Sequence, residues 1–520
     1  MRNALGLAVL AAAALAAQQP ATPPSAAAPF RVEEATIAQV HDAFRTGRLT
    51  CRALVDTYLR RIHAYDRNGP AINALVVINP DVQKAADDLD RRFAQSGLTG
   101  PLHCIPAIVK DNFETIGLQS AAGSLSLKGF VSNKDAFQVK RIREAGAIVL
   151  AKSNMAEFAF SPYETVNSIL PGYTRNPYAL DRVTAGSSGG TAAAVAANFG
   201  AIGLGSDTGN SIRGPSSHQA LVGIRSTMGL TSRAGVVPLN LLADIAGPMT
   251  RTVADAVTVL QVIAGEDPDD PATAAAHGRA IPTYADALRR DGLKGARIGI
   301  LRQAYERETT DPEVVDVFTA AVDELKRAGA VIVDPARVDL TDARRPQGGG
   351  SCGGFKYDIN RYLAAQGDRV SVHTLEDVIR SRRFHPSIEV RLRSAQEGAA
   401  NGPDTPECKA EAAYRDAFRA AVLRTMDENR LDAFVYPTWS NPPRLIGDLN
   451  TPHGDNSQVF SPTTGWPAIN VPMGYTRGTL PAGLTFFGRA WSEPALITLA
   501  YAYEQATHHR HPPSSTPPLR

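Results

Sequence analysis

The sequence predicts an α/β protein with helices layered on a sheet, and three observations carry that prediction. Short apolar runs of strand length alternate with stretches of helical periodicity: 136–144 then 147–150, and 297–301, then 312–328, then 331–333. Two glycine- and serine-rich turns, 186–190 and 205–211, bracket an alanine-rich helix at 191–199 and a short buried strand at 201–204. Apolar content of 43% and charged content of 20% in 520 residues belong to an ordinary globular chain with a large core.

In chain order, the first segment reads as a targeting signal. Arg2 precedes an apolar run at 4–17, and Ala14-Leu15-Ala16 suits a signal peptidase, so residues 1–17 are expected to be a signal peptide on an exported protein. Residues 18–29 are rich in Ala, Pro and Gln and read as a flexible spacer. One domain is expected from 30 to 507. Its periodic stretches 36–44 and 54–62 are helices, with Thr50 placed to cap the second. A strand follows at 74–78, then a helix at 80–93, then a buried strand at 105–109 that ends in Lys110. From that stretch alone, a snorkelling surface lysine is favoured over a desolvated functional amine. Beyond the serine turns, 221–238 reads as glycine-punctuated loop and 253–264 as a helix. Residues 348–354, GGGSCGG, read as a mobile loop. Helices are expected at 355–366, 410–427 and 494–503, strands at 434–436, 468–471 and 483–487, and a frayed, proline-rich polar tail at 508–520.

Several function classes drop away. A net charge of +2 gives no argument for a nucleic-acid partner. No internal run of 18 apolar residues predicts a membrane span in the mature chain. No Cys/His spacing resembles a zinc site. Of the four cysteines, Cys51 and Cys104 read as buried packing residues, whereas Cys352 and Cys408 lie in polar surroundings where a disulfide is possible.

Glycine permits close backbone approach and positive φ, so the two serine turns are suited to aiming several N–H groups at one point, as an oxyanion hole requires. Amide hydrolysis also needs a nucleophile and a proton shuttle. The residues supplying them match a family: Gly186-Ser-Ser-Gly-Gly190, then Gly205-Ser-Asp-Thr-Gly-Asn-Ser-Ile-Arg213, with Ser187 and Ser211 standing 24 positions apart. With Lys110-Asp-Asn112, Lys152-Ser-Asn154, Pro467–Pro472 and Pro481–Leu484, the chain resembles the amidase signature family of serine amidohydrolases over residues 33–507. The resemblance implies an α/β/α sandwich around a mixed sheet, Ser211 as nucleophile, Ser187 as bridging serine behind a cis peptide, and Lys110 as base. It implies no metal or organic cofactor, and a small-molecule or peptide amide as the partner of a monomer or homodimer. An ordinary lysine pKa of about 10.4 leaves almost no free amine at neutral pH, so Lys110 must then be desolvated.

Backbone N–H groups of Thr208, Gly209, Asn210 and Ser211 are the oxyanion-hole candidates. Asn210 stands where the family's commonest pattern has a second glycine, and asparagine tolerates left-handed backbone. Asp207 and Arg213 flank the turn and are expected to pair and lock it. Tyr163, Met155, Phe158 and Phe160 are candidates for one wall of an acyl pocket, and Trp439, Trp466 and Phe460 for the other; for any single one, core packing is the simpler expectation. A competing motif is present: residues 186–190 also fit G-x-S-x-G, which would make Ser188 the nucleophile of an α/β-hydrolase with a histidine such as His373 or His453. Against it, 176–184 is polar and contains Pro177, where that fold needs an apolar strand. Two further alternatives are an inactive binding relative, opposed by the complete Lys110, Ser187 and Ser211 set, and a component of a tRNA-linked transamidation complex, opposed by export.

Overall fold

The computed structural model describes residues 30–346, 352–398 and 404–519. The expected signal peptide and spacer, and most of the glycine loop at 348–354, lie outside the described residues. Among these residues a single sheet holds eleven strands: β1 (Leu75–Ile78), β2 (Pro106–Lys110), β3 (Ile148–Ser153), β4 (Ile202–Asp207), β5 (Val222–Arg225), β6 (Ile245–Thr250), β7 (Arg297–Ile300), β8 (Val331–Val333), β9 (Ala433–Pro437), β10 (Ala468–Thr476) and β11 (Leu480–Phe487). Their spatial order is β1-β3-β2-β4-β6-β5-β10-β11-β9-β7-β8. The sheet is mixed. A parallel trio, β3-β2-β4, and a second, β9-β7-β8, flank an antiparallel centre. With helices packed on the sheet, the architecture is the expected α/β/α sandwich.

The helices are α1 (Ile37–Arg45), α2 (Cys51–Tyr65), α3 (Val82–Ser96), α4 (Phe137–Glu144), α5 (Gly189–Ala196), α6 (Arg213–Ser217), α7 (Val253–Ile263), α8 (Pro312–Arg327), α9 (Phe355–Gln366), α10 (Leu375–Ser381), α11 (Glu389–Glu397), α12 (Pro406–Glu428), α13 (Phe460–Thr464) and α14 (Glu493–Thr507). Thr50 caps α2 as expected, its side chain accepting from the Ala53 N–H. Helix α5 is buried on every side. Its Ala and Gly residues permit this, since small side chains let neighbouring backbones come close. Ser153 and Thr191 hydroxyls hold it to β3 at 2.6 Å. None of the described helices is long and apolar enough to cross a membrane.

Three expectations change, and one possibility, the Cys352–Cys408 bridge, is realised. Residues 221–238 are not loop throughout: β5 opens the stretch, and β6, also unforeseen, follows it. Both lie in the antiparallel centre, where partners distant in sequence decide strand formation. Cys51 and Cys104 are buried as expected but form a disulfide, with Cα atoms 5.7 Å apart, because the start of α2 packs beside the turn that leads into β2. Cys352 and Cys408 also pair, tying the residues before α9 to the first turn of α12. The tail does not fray. Arg510 pairs with Glu34 at 2.7 Å, and the buried Arg61 donates to the carbonyls of Thr516 (2.8 Å) and Pro517 (3.0 Å).

Candidate active site

Strands β2 and β4 run parallel and adjacent, so their carboxyl ends meet at one edge of the sheet, where α/β folds place ligand sites. Lys110 is the last residue of β2, and Ser206 and Asp207 close β4. The turn carrying Ser187 enters α5, which packs on both strands. Lys110 is fully buried and donates to Ser187 Oγ at 2.7 Å, to Ser206 Oγ at 2.9 Å and to the Ser206 carbonyl at 3.3 Å. Asn112 Nδ2 donates to the same Ser206 hydroxyl at 3.0 Å. Burial pushes the Lys110 ammonium down to about 7 against the opposing pull of Asp207 and Asp244. The surface reading of this lysine is therefore wrong: the helix–strand layers close over its whole length.

The Gly186–Ser187 peptide is cis, as the resemblance implies. Glycine is required at 186 by space: a Cβ there would stand 2.6 Å from the Glu164 carbonyl oxygen and closer still to that of Ser161. Ser188, the competing nucleophile, is buried with its hydroxyl 3.2 Å from the Ser206 carbonyl and 3.4 Å from the Ser206 N–H. Backbone groups occupy it, and no histidine does; His453 instead stacks on Tyr163 at 3.7 Å. The nucleophile-elbow reading fails on that geometry.

The second turn is held by charge. Asp207 and Arg213 pair as expected, at 3.1 Å, and both are fully buried. Sequence reasoning missed the third member, Arg225 at the end of β5, which pairs with Asp207 at 3.0 Å. Burial pushes the Asp207 carboxyl up, but the two guanidinium groups overcome it and hold the group at about 2. Both arginines also fix turn carbonyls: Arg213 donates to the Gly209 oxygen at 2.5 Å, and Arg225 to the Asp207 oxygen. In a trans peptide the C=O and N–H point in opposite directions, so fixing these oxygens orients the N–H groups of Asn210 and Thr208. Asp244, also missed, anchors the Thr208 hydroxyl at 2.5 Å and the N–H groups of Leu239 and Asn240 at 2.9 and 3.0 Å. Arg225 and Asp244 lie outside every motif, and only a buried charge's need for a partner hinted at Arg225. Ser206 and Asn112 stand inside the motifs, but nothing in their spacing assigns them to Lys110.

Gly209 and Asn210 do not adopt positive φ, so the left-handed tolerance of asparagine is not used. Asn210 Nδ2 is buried without a partner among the described residues. Its amide and the Trp439 ring both crowd Gly214, whose carbonyl accepts from Trp439 Nε1 at 3.0 Å. Ser211, 4% exposed, lines a cavity of about 360 Å³ together with Thr208, Gly209 and Asn210. Of the expected pocket residues, Phe160 and Tyr163 line this cavity. Trp439 stands behind Tyr163, edge-on at 6.4 Å. Met155 and Phe158 belong to an apolar cluster beneath, and Phe460 and Trp466 to the main core.

The chain resembles known proteins in sequence and in fold. The Amidase family profile matches residues 53–497. A probable amidase of Arabidopsis thaliana is 35% identical over 508 residues, covering 93% of this chain and 92% of that protein. A glutamyl-tRNA(Gln) amidotransferase component from a Synechococcus strain is 31% identical over 486 residues, covering 91% of this chain and 96% of its own. The native peptide amidase of Stenotrophomonas maltophilia superposes with a TM-score of 0.81 at 36% identity, covering 93% of this chain and 99% of that one. With that profile spanning most of its length and relatives above 30% identity across it, the chain belongs to the amidase signature family and is an amide-hydrolysing enzyme.

Proposed function

We propose that the enzyme works through an acyl-enzyme on Ser211, with Ser187 relaying the proton and Lys110 as the base. The observation that carries this reading is the 2.7 Å contact between Ser187 Oγ and a fully buried lysine whose amine is free near neutral pH. Ser211 Oγ attacks the amide carbonyl as its proton passes to Ser187, whose own proton passes to the neutral Lys110 amine. The carbonyl electron pair moves to oxygen, facing the N–H groups of Thr208, Gly209, Asn210 and Ser211. Collapse breaks the C–N bond, and the proton returns through Ser187 to the leaving nitrogen. Water then attacks the ester; its proton follows the same route and ends on Ser211.

For the substrate class we take peptide amides, supported by the likeness to a peptide amidase. Export is part of the proposal. The two disulfides suit an oxidising compartment, as does the signal-like N-terminus. One experiment tests the core of it. Mature protein is treated with a fluorophosphonate, the adduct is located by peptide mass spectrometry, and ammonia release is followed from a peptide amide and from glutamine. A Ser211 adduct with peptide-amide turnover supports the proposal. An adduct on Ser188, or none on folded protein, defeats the nucleophile assignment. Glutamine as the far better amide moves the activity toward that of the amidotransferase relatives.

A further inference from the structure

The cavity beside Ser211 is lined by three guanidinium groups, Arg345, Arg391 and Arg415, and by one carboxylate, Glu411. Glu411 pairs with Arg415 at 2.9 Å, and Arg415 is further committed to the Pro462 carbonyl at 3.1 Å. That pair cancels. Behind Tyr163, Arg444 lies 5.7 Å from the ring and acts on the half-buried Glu164, while Asp455 faces Arg213 and takes a hydrogen bond from Gln458. These acids have basic neighbours of their own. What is left uncompensated is Arg391, which donates only to the neutral Phe160 carbonyl, and Arg345; neither has a carboxylate partner among the described residues. Both are exposed at the mouth, and Phe160, which Arg391 holds, is itself a cavity wall.

Resting on the amidase reading above, we propose that this mouth selects anionic substrates: amides whose acyl part carries a carboxylate, such as peptide amides with an acidic residue before the terminal amide-bearing one. Arg391 and Arg345 are the specificity-determining residues. Arginine is suited to the task because its planar fork binds a carboxylate with two parallel N–H donors and keeps its charge at every working pH. Of the remaining lining, Tyr163, Pro162 and Asn240 carry no charge of either sign to offset the two arginines.

The test separates binding from chemistry. Full-length Ser211→Ala protein is titrated calorimetrically with N-acetyl-Glu-Phe-amide and with N-acetyl-Gln-Phe-amide, which are nearly isosteric and differ by one charge. The acidic peptide should bind roughly five- to tenfold more tightly in low salt, as partly exposed ion pairs permit. The preference should fall toward unity in 0.5 M NaCl, whose screening length is shorter than about 5 Å. Arg391→Gln should lower the ratio several-fold, and Arg391→Lys should restore part of it. Equal affinities for the two peptides, or no binding of either, overturn the inference even if the wild-type enzyme turns both over. Conversely, a charge preference in binding with no turnover by wild type overturns the amidase mechanism and leaves the anionic site standing.

Discussion

Two buried lysines lie on neighbouring strands, and their surroundings differ in what the proposed base role of Lys110 requires. Lys110 ends β2 opposite Ser153, and Lys152 lies opposite Val109 in β3, so the two side chains leave opposite faces of the sheet. Both are fully buried, and burial lowers both, Lys110 to about 7 and Lys152 to about 8. Their partners differ. Lys152 donates to the Phe113 carbonyl at 2.5 Å, the Ser120 hydroxyl at 3.0 Å and the Asp111 carbonyl at 3.5 Å, with the Asp111 carboxylate opposing its loss of charge. The carbonyls only accept, and the Ser120 hydroxyl already donates to the Phe113 carbonyl at 3.0 Å, so this shell offers no proton to an amine. Lys110 faces two hydroxyls, which accept from an ammonium and donate to an amine equally well. On the proposed mechanism, desolvation alone does not make a base; a partner able to return the proton does.

The largest expected contrast is in catalysis. Lys110→Met should reduce amide turnover by roughly 10²–10⁴-fold, the usual worth of general acid–base assistance, while the protein stays folded. On an activated ester, whose leaving group needs no returned proton, the loss should be at least about tenfold smaller. Equal losses on both substrates would remove the return step through Ser187. Lys152→Met should act the other way round. It strands the Phe113 carbonyl, the Ser120 hydroxyl and the Asp111 charge, and should cost about 2–4 kcal/mol in denaturant unfolding. A Lys152→Met protein that unfolds like wild type but has lost its activity would erase the distinction between the two lysines.

Titration sharpens the same comparison. On the proposed mechanism the amine form is the base, so kcat/KM should rise with pH through about 7 and then level. The sign for stability follows from linkage. Lys110 in the folded protein has released its proton by pH 8 while the unfolded lysine still holds one, so the wild type gains stability as pH rises between about 7 and 10. Relative to Lys110→Met, that gain should approach, at most, about 1.4 kcal/mol per pH unit. A pH-independent difference in stability between the two proteins would mean that the buried amine does not titrate in that window. The smallest effect concerns the turn: Asn210→Gly removes a buried amide nitrogen without a partner and should change unfolding by only about 1 kcal/mol, because the lock rests on Asp207, Arg213 and Arg225.

Local regularities were legible in the sequence for local reasons. Helices α2, α7, α8 and α14 carry their own periodicity, and the strands of both parallel trios read as apolar runs. The first serine turn was legible because glycine at 186 and 190 answers a demand of close packing: a Cβ at either position would run into backbone atoms of a neighbouring segment. Strand β5, whose Arg225 completes the charged lock, was hidden because its pairing partners lie at β6 and β10, the latter more than 200 residues away. The disulfide between Cys51 and Cys104 was hidden for a similar reason: each cysteine looks like packing until helix α2 and the approach to β2 are brought side by side.

By itself, then, the sequence determined the alternation of elements, the two turns that carry Ser187 and Ser211, and the Asp207–Arg213 pair six residues apart, because each depends on neighbours along the chain. Tertiary structure alone decided that Lys110 is a buried amine rather than a surface cation, that Ser206 and Asn112 share its hydroxyl network, that Asp244 anchors Thr208, and that the tail is pinned by Arg61 and Arg510. Burial is a property of what packs around a residue, and the layers closing over Lys110 come from segments as far apart as 110, 187 and 206.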